Sequence, residues 1–338
     1  MQKYLLVGPR LSNKNKDIGG TTILMDLFDD YLNENKFEYH VVATNKYKNQ
    51  IANLFYVIFH VAVNVRKFDV VIGNAAINFL KYISPILLII TKLSNKKYVL
   101  RKFGGNLDRQ YDDASFLAKK SFDFTFKYSD LIFVETKMIQ QYLRSKTSRD
   151  IHLFPNNRKS SVDSPKVKNN NKYVFISQIK KEKGINEVFA ANKFLKNKIY
   201  SFGPIHDNDI ELDEYYLGVV KPTDVPSILN NSSLLILPTY WEGEGYPGII
   251  LEALASGVPV ISTNYRAIPE IIDDKKSGIL LDNGNYEELL AAISYIENES
   301  NFNILSKNAL RQFRLNFETN MVHKNVLEVL EKVCLDIN

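Results

Sequence analysis

Two glutamates eight residues apart, Glu244 and Glu252, bracket a run of glycine, proline and apolar residues, Gly245, Tyr246, Pro247, Gly248 and Ile249. An ionised carboxylate accepts hydrogen bonds from two neighbouring hydroxyls, which suits it to sugars rather than to phosphate. The run itself suits an anion. Pro247 fits the first turn of a helix, Gly257 the position just past its end, and Pro259 the stop. Such a helix points unpaired backbone N–H groups and a positive dipole end into the loop before it. Hydroxyl-binding carboxylates beside phosphate-binding amides describe a nucleotide-sugar site. The same spacing also fits two solvated helix-end glutamates, and the spacing alone does not choose between these readings.

Local elements position the pair. Residues 234–237 read as a buried parallel strand, 258–263 as a second, and residues 239–263 therefore as a loop and helix joining them. Ile249, Glu252 and Ser256 share one helix face, while Ile250, Leu251, Leu254 and Ala255 face the sheet.

The stretch from Glu244 to Glu252 resembles the Glu-x7-Glu motif of the retaining glycosyltransferases of family 4, and residues 253–261, AlaLeuAlaSerGlyValProValIle, resemble that family's continuation. The resemblance covers the C-terminal half well and the N-terminal half weakly. It implies the GT-B fold: two Rossmann-like, doubly wound α/β domains facing across a cleft. It implies that Glu244 binds donor-sugar hydroxyls, that Glu252 binds the ribose, and that the backbone of residues 246–249 meets the sugar and phosphates. Relatives carry an Arg and a Lys, four residues between them, on the diphosphate. The Lys matches Lys183, followed by Gly184, whereas the Arg position is Gln178, an uncharged donor. Lys180 and Lys181 are the nearby cations available to compensate. Gly203 and Lys221 complete the implied donor set, the loop at Lys221 lying at the nucleobase in relatives. The implied catalytic pair is Glu244 and Lys183.

In the N-terminal half, Gly19 and Gly20 precede a helix expected from about Thr22 to Leu32, as the family's glycine loop does. A plain hinge fits them equally well, and no dinucleotide fingerprint follows the first strand. Arg101, Lys102, Phe103, Gly104 and Gly105 end a strand expected at 97–103, where open α/β sheets take ligands. Arg101, Phe103, Gly104 and Gly105, with Gly19 and Gly20, are the candidate acceptor residues. Many relatives place a histidine near here. This chain has none; its five histidines are His40, His60, His152, His206 and His323.

A chain of 338 residues with 45% hydrophobic content suits two domains with substantial cores. Residues 155–172, polar and rich in Pro, Ser and Asn, read as the linker. The expected domains are 1–156, with a C-terminal helix at 319–338 packing back on it, and 157–318. A single cysteine, Cys334, excludes a disulfide framework and a cysteine-based zinc site, and fits a reducing cytoplasm. The N-terminal apolar run is too short for a signal peptide, and no apolar stretch reaches transmembrane length. Residues 1–150 carry 23 Lys/Arg against 14 Asp/Glu, net +9, and residues 151–338 carry 20 against 24, net −4. With no nucleic-acid-binding signature, that asymmetry points to an anionic membrane or to a solvated basic surface. The apolar helices at 49–66 and 79–93, the latter interrupted by Pro85, suit packing on a sheet or contact with a bilayer interface. Asp207-Asn208-Asp209 has the form of a metal motif but sits in an acidic loop read as surface.

The expected function is transfer of a sugar, with retention, from a nucleoside-diphosphate sugar to a hydroxyl of a glycan or lipid-linked glycan. A UDP-sugar is favoured as donor, with GDP-mannose as the other candidate. No metal and no cofactor is required beyond the donor. The expected place is the cytoplasm, with peripheral contact at the inner membrane face. Two rivals stand beside it: a non-catalytic nucleotide-sugar-binding scaffold, and a non-hydrolysing epimerase, which would need a cleft histidine.

Overall fold

A computed structural model describes residues 2–10, 20–160, 162–165 and 171–335. Contacts divide the chain into two compact units, one running to Asn156 and resuming at Val322, the other comprising Asn157–Met321. Among the described residues each unit is built on one all-parallel sheet. Parallel sheets are buried on both faces, which explains why so many strands here are continuous apolar runs rather than alternating ones.

The first unit's strands are β1 (Lys3–Gly8), β2 (Glu38–Ala43), β3 (Val70–Ala75), β4 (Lys97–Lys102), β5 (Leu131–Val134) and β6 (Ile151–Leu153), in the spatial order β2-β1-β3-β4-β5-β6. Its helices are α1 (Gly20–Glu34), α2 (Gln50–Asn64), α3 (Ser84–Leu93), α4 (Leu107–Asp112), α5 (Phe116–Tyr128) and α6 (Lys137–Arg144). Strand alternation sends Leu5, Val7, Val71, Leu100 and Ile132 to a core shared with α2, α3 and α5. The residues between them, Tyr4, Leu6, Ile72, Val99 and Phe133, meet α1 and the last helix, α12 (Thr319–Leu335), through Val322, Val326 and Leu330. The side chain of Asn49 caps α2 by accepting from Ile51 N–H at 2.8 Å and Ala52 N–H at 3.2 Å.

The second unit holds β7 (Tyr173–Ile176), β8 (Ile199–Phe202), β9 (Leu234–Leu237), β10 (Val260–Thr263) and β11 (Gly278–Leu281), in the order β11-β10-β9-β7-β8. Its helices are α7 (Ile185–Asn192), α8 (Val225–Asn230), α9 (Gly248–Ala255), α10 (Tyr286–Glu297) and α11 (Glu299–Asn316). The chain winds from β7 to β8 on one side and returns to β9 on the other, so the strand order of the parallel sheet reverses between β7 and β9. That reversal opens a crevice beyond the carboxyl ends of those two strands.

Several local expectations shift. Pro247 is the N-cap of α9 rather than its first helical residue, and Gly257 ends the helix at φ +63° as expected. Tyr216 makes a single bridge to Ser201. Thr223 lies in a 3-10 turn, and Asp224 precedes α8 without a side-chain cap. Ile268–Glu270 forms a 3-10 turn, with Pro269 inside it. The segment 79–93 begins as one π-turn, Phe79–Ile83, and becomes α-helical only at Ser84, next to Pro85, whose missing N–H suits a helix start.

Candidate functional site

The loops after β7 and β9 meet at the point where the second sheet reverses. Gly184, at φ +78°, ends the 3-10 turn Lys181–Lys183 and begins α7. A Cβ there would collide with the carbonyl of Pro238, so glycine lets the two loops touch. Tyr240 N–H donates to Glu182 O at 2.8 Å and Thr239 Oγ1 to the same carbonyl at 3.2 Å. This seam brings Lys183 Nζ onto Glu244 Oε1 as an ion pair with side chains only 10% and 4% exposed. The single Thr239 hydroxyl proton is shared between the Glu182 carbonyl and this carboxylate oxygen, which lies 3.0 Å from Oγ1. Lys183 Nζ also lies 4.0 Å from the centre of the Trp241 ring, whose indole occupies the space a side chain at Gly243 would need. Burial pulls the Lys183 ammonium below the usual lysine range, and Glu244 opposes that pull. A buried lysine matched to one carboxylate is poised to exchange that partner for an incoming anion.

Helix α9 begins beside this pair. Its first intrahelical donor is Ile250 N–H, to Pro247 O at 3.1 Å, so the amides of Gly248 and Ile249 sit at the positive end of the helix. Over that end lies a residue the sequence reading did not single out, Arg158. Its Nε pairs with Glu252 Oε1 at 2.7 Å, and a Cβ on Gly248 would run into its guanidinium. The backbone of Arg158 is held by Phe317 O at 3.1 Å and by Thr319 N–H at 3.0 Å. Nothing in its polar surroundings, PNNRKSS, marks Arg158, because its partner is 94 residues away. Tyr246 turns its ring inward, edge-on to Phe317, with its hydroxyl 2.5 Å from Glu270 Oε2, so only its backbone is available to a ligand at the helix end. Gly245 is buried in the same turn.

The remaining donor candidates spread along neighbouring loops. Gln178 is exposed, two residues past the end of β7 at Ile176. Gly203, at φ +145°, follows β8, and any Cβ there would strike the carbonyl of Ser177. Its glycine is thus explained by close loop packing. Lys221 is exposed at the head of the 3-10 turn Pro222–Asp224. Lys180 pairs with Glu182 and Lys181 with Asp209, whereas the guanidinium of Arg158 lies against Gly248 at the start of α9. Asp207 accepts from Lys181 N–H at 2.8 Å, and the Asp207–Asp209 pair is engaged with this lysine.

In the first unit, Gly19 lies outside the described residues, and Gly20 opens α1, exposed and with empty space where a Cβ would go. Arg101 and Phe103 correct the expectation of open ligand-facing side chains. Both are buried, because strand alternation turns them, with Val99, to the face covered by α12. The Arg101 guanidinium stacks 3.3 Å over the Phe154 ring and 4.6 Å from that of Phe103. Burial lowers its pKa to about 9, against the opposing pull of Glu135. Lys102 is likewise pushed down to about 8 by burial, with Glu135 again opposing, and its Nζ bonds Phe103 O. Gly104, at φ +86°, gives its N–H to Glu135 Oε2 at 3.0 Å, and Gly105 is buried beside it.

Residues 156–312 match the family model described as "Glycosyl transferases group 1". This segment is similar to glycosyltransferase group 1 domains. Over 151 residues, 42% of the chain, it is 27% identical to an uncharacterized 41.2 kDa protein in the cps region of Klebsiella pneumoniae, covering 41% of that protein. Over 103 residues, 30% of the chain, it is 29% identical to the UDP-Gal:alpha-D-GlcNAc-diphosphoundecaprenol alpha-1,3-galactosyltransferase of Escherichia coli, covering 26% of it. The matches thus span well under half the length of these curated relatives. In three dimensions the chain resembles Anabaena Alr3699/HepE, solved in complex with UDP, with a TM-score of 0.75 at 14% identity over 98% of this chain and 100% of that one. At that identity the likeness speaks for the fold, which is that of the GT-B glycosyltransferases: two parallel-sheet α/β domains.

Proposed function

We propose that the chain moves a sugar from a nucleoside-diphosphate sugar to a hydroxyl of a glycan or lipid-linked glycan, with retention at the anomeric carbon and without a metal ion. The observation that carries this reading is the buried Lys183–Glu244 pair beside the start of α9, at the reversal of the second sheet. A diphosphate leaving group gathers negative charge as the glycosidic bond breaks. Lys183 and the amides at Gly248 and Ile249 hold that charge, the kind of preorganised electrostatic stabilisation that contributes most in enzymes. Glu244, released from Lys183 by the phosphates, takes hydroxyls of the donor sugar, and Glu252 takes those of the ribose. A UDP-sugar is the favoured donor, supported by the UDP in the Alr3699/HepE structure and by the UDP-Gal in the galactosyltransferase relative's name. GDP-mannose is the second candidate. The acceptor belongs with the first unit, at Gly20, Gly104 and Gly105.

A thermal-shift panel of UDP, GDP, ADP, TDP and CMP, each with and without magnesium, tests the donor half. Saturation at a hundred times the dissociation constant adds about 2.7 kcal/mol of stability. One nucleotide responding equally in both conditions supports the proposal. A response that requires magnesium removes the metal-independent part. Full transfer by Glu244→Ala with the right donor would overturn the assigned role of that residue, and ligand binding without transfer to any acceptor would favour a binding subunit.

A further inference from the structure

Helix α2 is apolar on two opposite sides. Asn53, Val57 and Val61 face the core. Two residues out of phase, about 200° around the helix, stand Ile51, Phe55, Phe59 and Val63, exposed by 65%, 68%, 63% and 56%. They form a straight i, i+4, i+8, i+12 stripe about 18 Å long. Ile89 and Leu93 of α3, which packs beside α2, are exposed as well. An apolar surface of this extent on a folded unit is uncommon unless something covers it.

The charges around the stripe identify the partner. Residues 39–107 hold ten Lys and Arg, of which Arg101 and Lys102 are buried and Lys92 and Lys97 pair with Asp130, against one acidic residue within the segment, Asp69. That carboxylate is engaged by Lys96 Nζ at 3.4 Å and by the Lys3 N–H at 3.1 Å. Lys46 and Lys48 lie exposed before α2, and Arg66 and Lys67 lie exposed after it, so cations flank both ends of the stripe. A second copy placed face to face would set the cations flanking one stripe, Lys46, Lys48, Arg66 and Lys67, against those of the other, while the nearby carboxylates Asp69 and Asp130 are already engaged by Lys96 and Lys92. An anionic lipid surface offers acyl chains to the stripe and headgroup phosphates to the lysines. At 15 residues, about 22 Å, α2 is too short to cross a hydrocarbon core of about 30 Å. Among the described residues no helix is long and apolar enough to do so.

We propose that α2 lies in the plane of an anionic bilayer surface, with Phe55 and Phe59 inserted below the headgroups and Lys46, Lys48, Arg66 and Lys67 at their level. The assignment stands apart from the transferase reading, because vesicle binding is measured without donor or acceptor. The test is co-sedimentation of the full chain with vesicles of phosphatidylcholine alone or mixed with phosphatidylglycerol, at low and high salt. Binding is expected to the mixed vesicles at low salt and to weaken at high salt. The double variant Phe55→Asp, Phe59→Asp should bind about tenfold more weakly or worse, with an unchanged far-ultraviolet circular dichroism spectrum. Lys46→Glu with Lys48→Glu should flatten the salt dependence. No binding at low salt overturns the proposal. So does binding by the phenylalanine variant as tight as by the parent. A parent that is dimeric, and becomes monomeric on the phenylalanine substitutions, also overturns it, since a second copy then covers the face.

Discussion

Arg158 Nε donates to Glu252 Oε1 at 2.7 Å, while its guanidinium fills the space over the α-carbon of Gly248. One side chain therefore neutralises the second glutamate of the motif and lies over the start of α9. The position where relatives of the family carry a phosphate-binding arginine holds Gln178, which is exposed here. Arg158 places a guanidinium at the start of α9. Arg158→Ala should then weaken a nucleoside diphosphate by about 1–3 kcal/mol, or about 5- to 150-fold in Kd by calorimetry. Gln178→Ala should change it far less. The unphosphorylated nucleoside separates two accounts. If Arg158 meets the diphosphate, the nucleoside is affected less than the diphosphate; equal losses would mean that Arg158 only orients Glu252.

Lys183 and Glu244 should behave as one unit. Removing either partner leaves the other charge buried, at a cost of about 3–5 kcal/mol for a fully buried pair. Because burial already pulls the Lys183 ammonium down, Glu244→Gln is expected to be the milder single change, Lys183 losing its proton more readily. Lys183→Met leaves an unpaired carboxylate and should cost more. The double variant should lose less stability in urea than the two single losses added together. Turnover should fall about 10²-fold or more in each, including the double variant.

Gly184 and Gly20 make a contrasting pair. At Gly184 an alanine must adopt φ +78° and drive its methyl into the Pro238 carbonyl. Strain and overpacking together should cost about 2–5 kcal/mol and pull apart the seam that joins Lys183 to Glu244. Gly20 has open space and an ordinary helical backbone. Gly20→Ala should leave the urea midpoint within about 0.5 kcal/mol of the parent or raise it. Reduced transfer by a fully stable Gly20→Ala protein would then report on ligand approach alone.

What the sequence made legible was what depends on neighbours in the chain. The strand–loop–helix–strand unit around Glu244 and Glu252 carries its own punctuation, Pro247, Gly257 and Pro259, and each lands within a residue of its expected place. Arg158 was silent because its meaning comes from a partner 94 residues away. Arg101 misled for a related reason. Its place at a strand end suggested an open ligand surface, but which face of β4 it takes, and that α12 covers that face, are decided by packing over the whole unit. Gly203 looked like a ligand-side glycine, yet its nearest obstacle is the carbonyl of Ser177, a contact between two loops invisible in either loop alone.

The packing that hid Arg101 also sets a pH dependence. His323 on α12 lies fully buried among the rings of Phe28, Tyr31 and Phe154, and neither ring nitrogen has a hydrogen-bond partner among the described residues. Burial, reinforced by the Arg101 charge, lowers its pKa well below the usual 6.5. The folded imidazole stays neutral while the unfolded one takes up a proton as pH falls through 6.5. The unfolded state then binds more protons, so stability falls with falling pH, by up to about 1.4 kcal/mol per pH unit for this one group. Above pH 6.5 both states are neutral and the contribution vanishes. His323→Leu keeps the volume, breaks no hydrogen bond and removes the titration. Urea unfolding of parent and variant at pH 7.5, 6.5 and 5.5, values chosen about one unit either side of the ordinary pKa, should give parallel stabilities down to 6.5 and a parent that falls away from the variant below it. Equal slopes across the whole range would mean that His323 is protonated inside the fold.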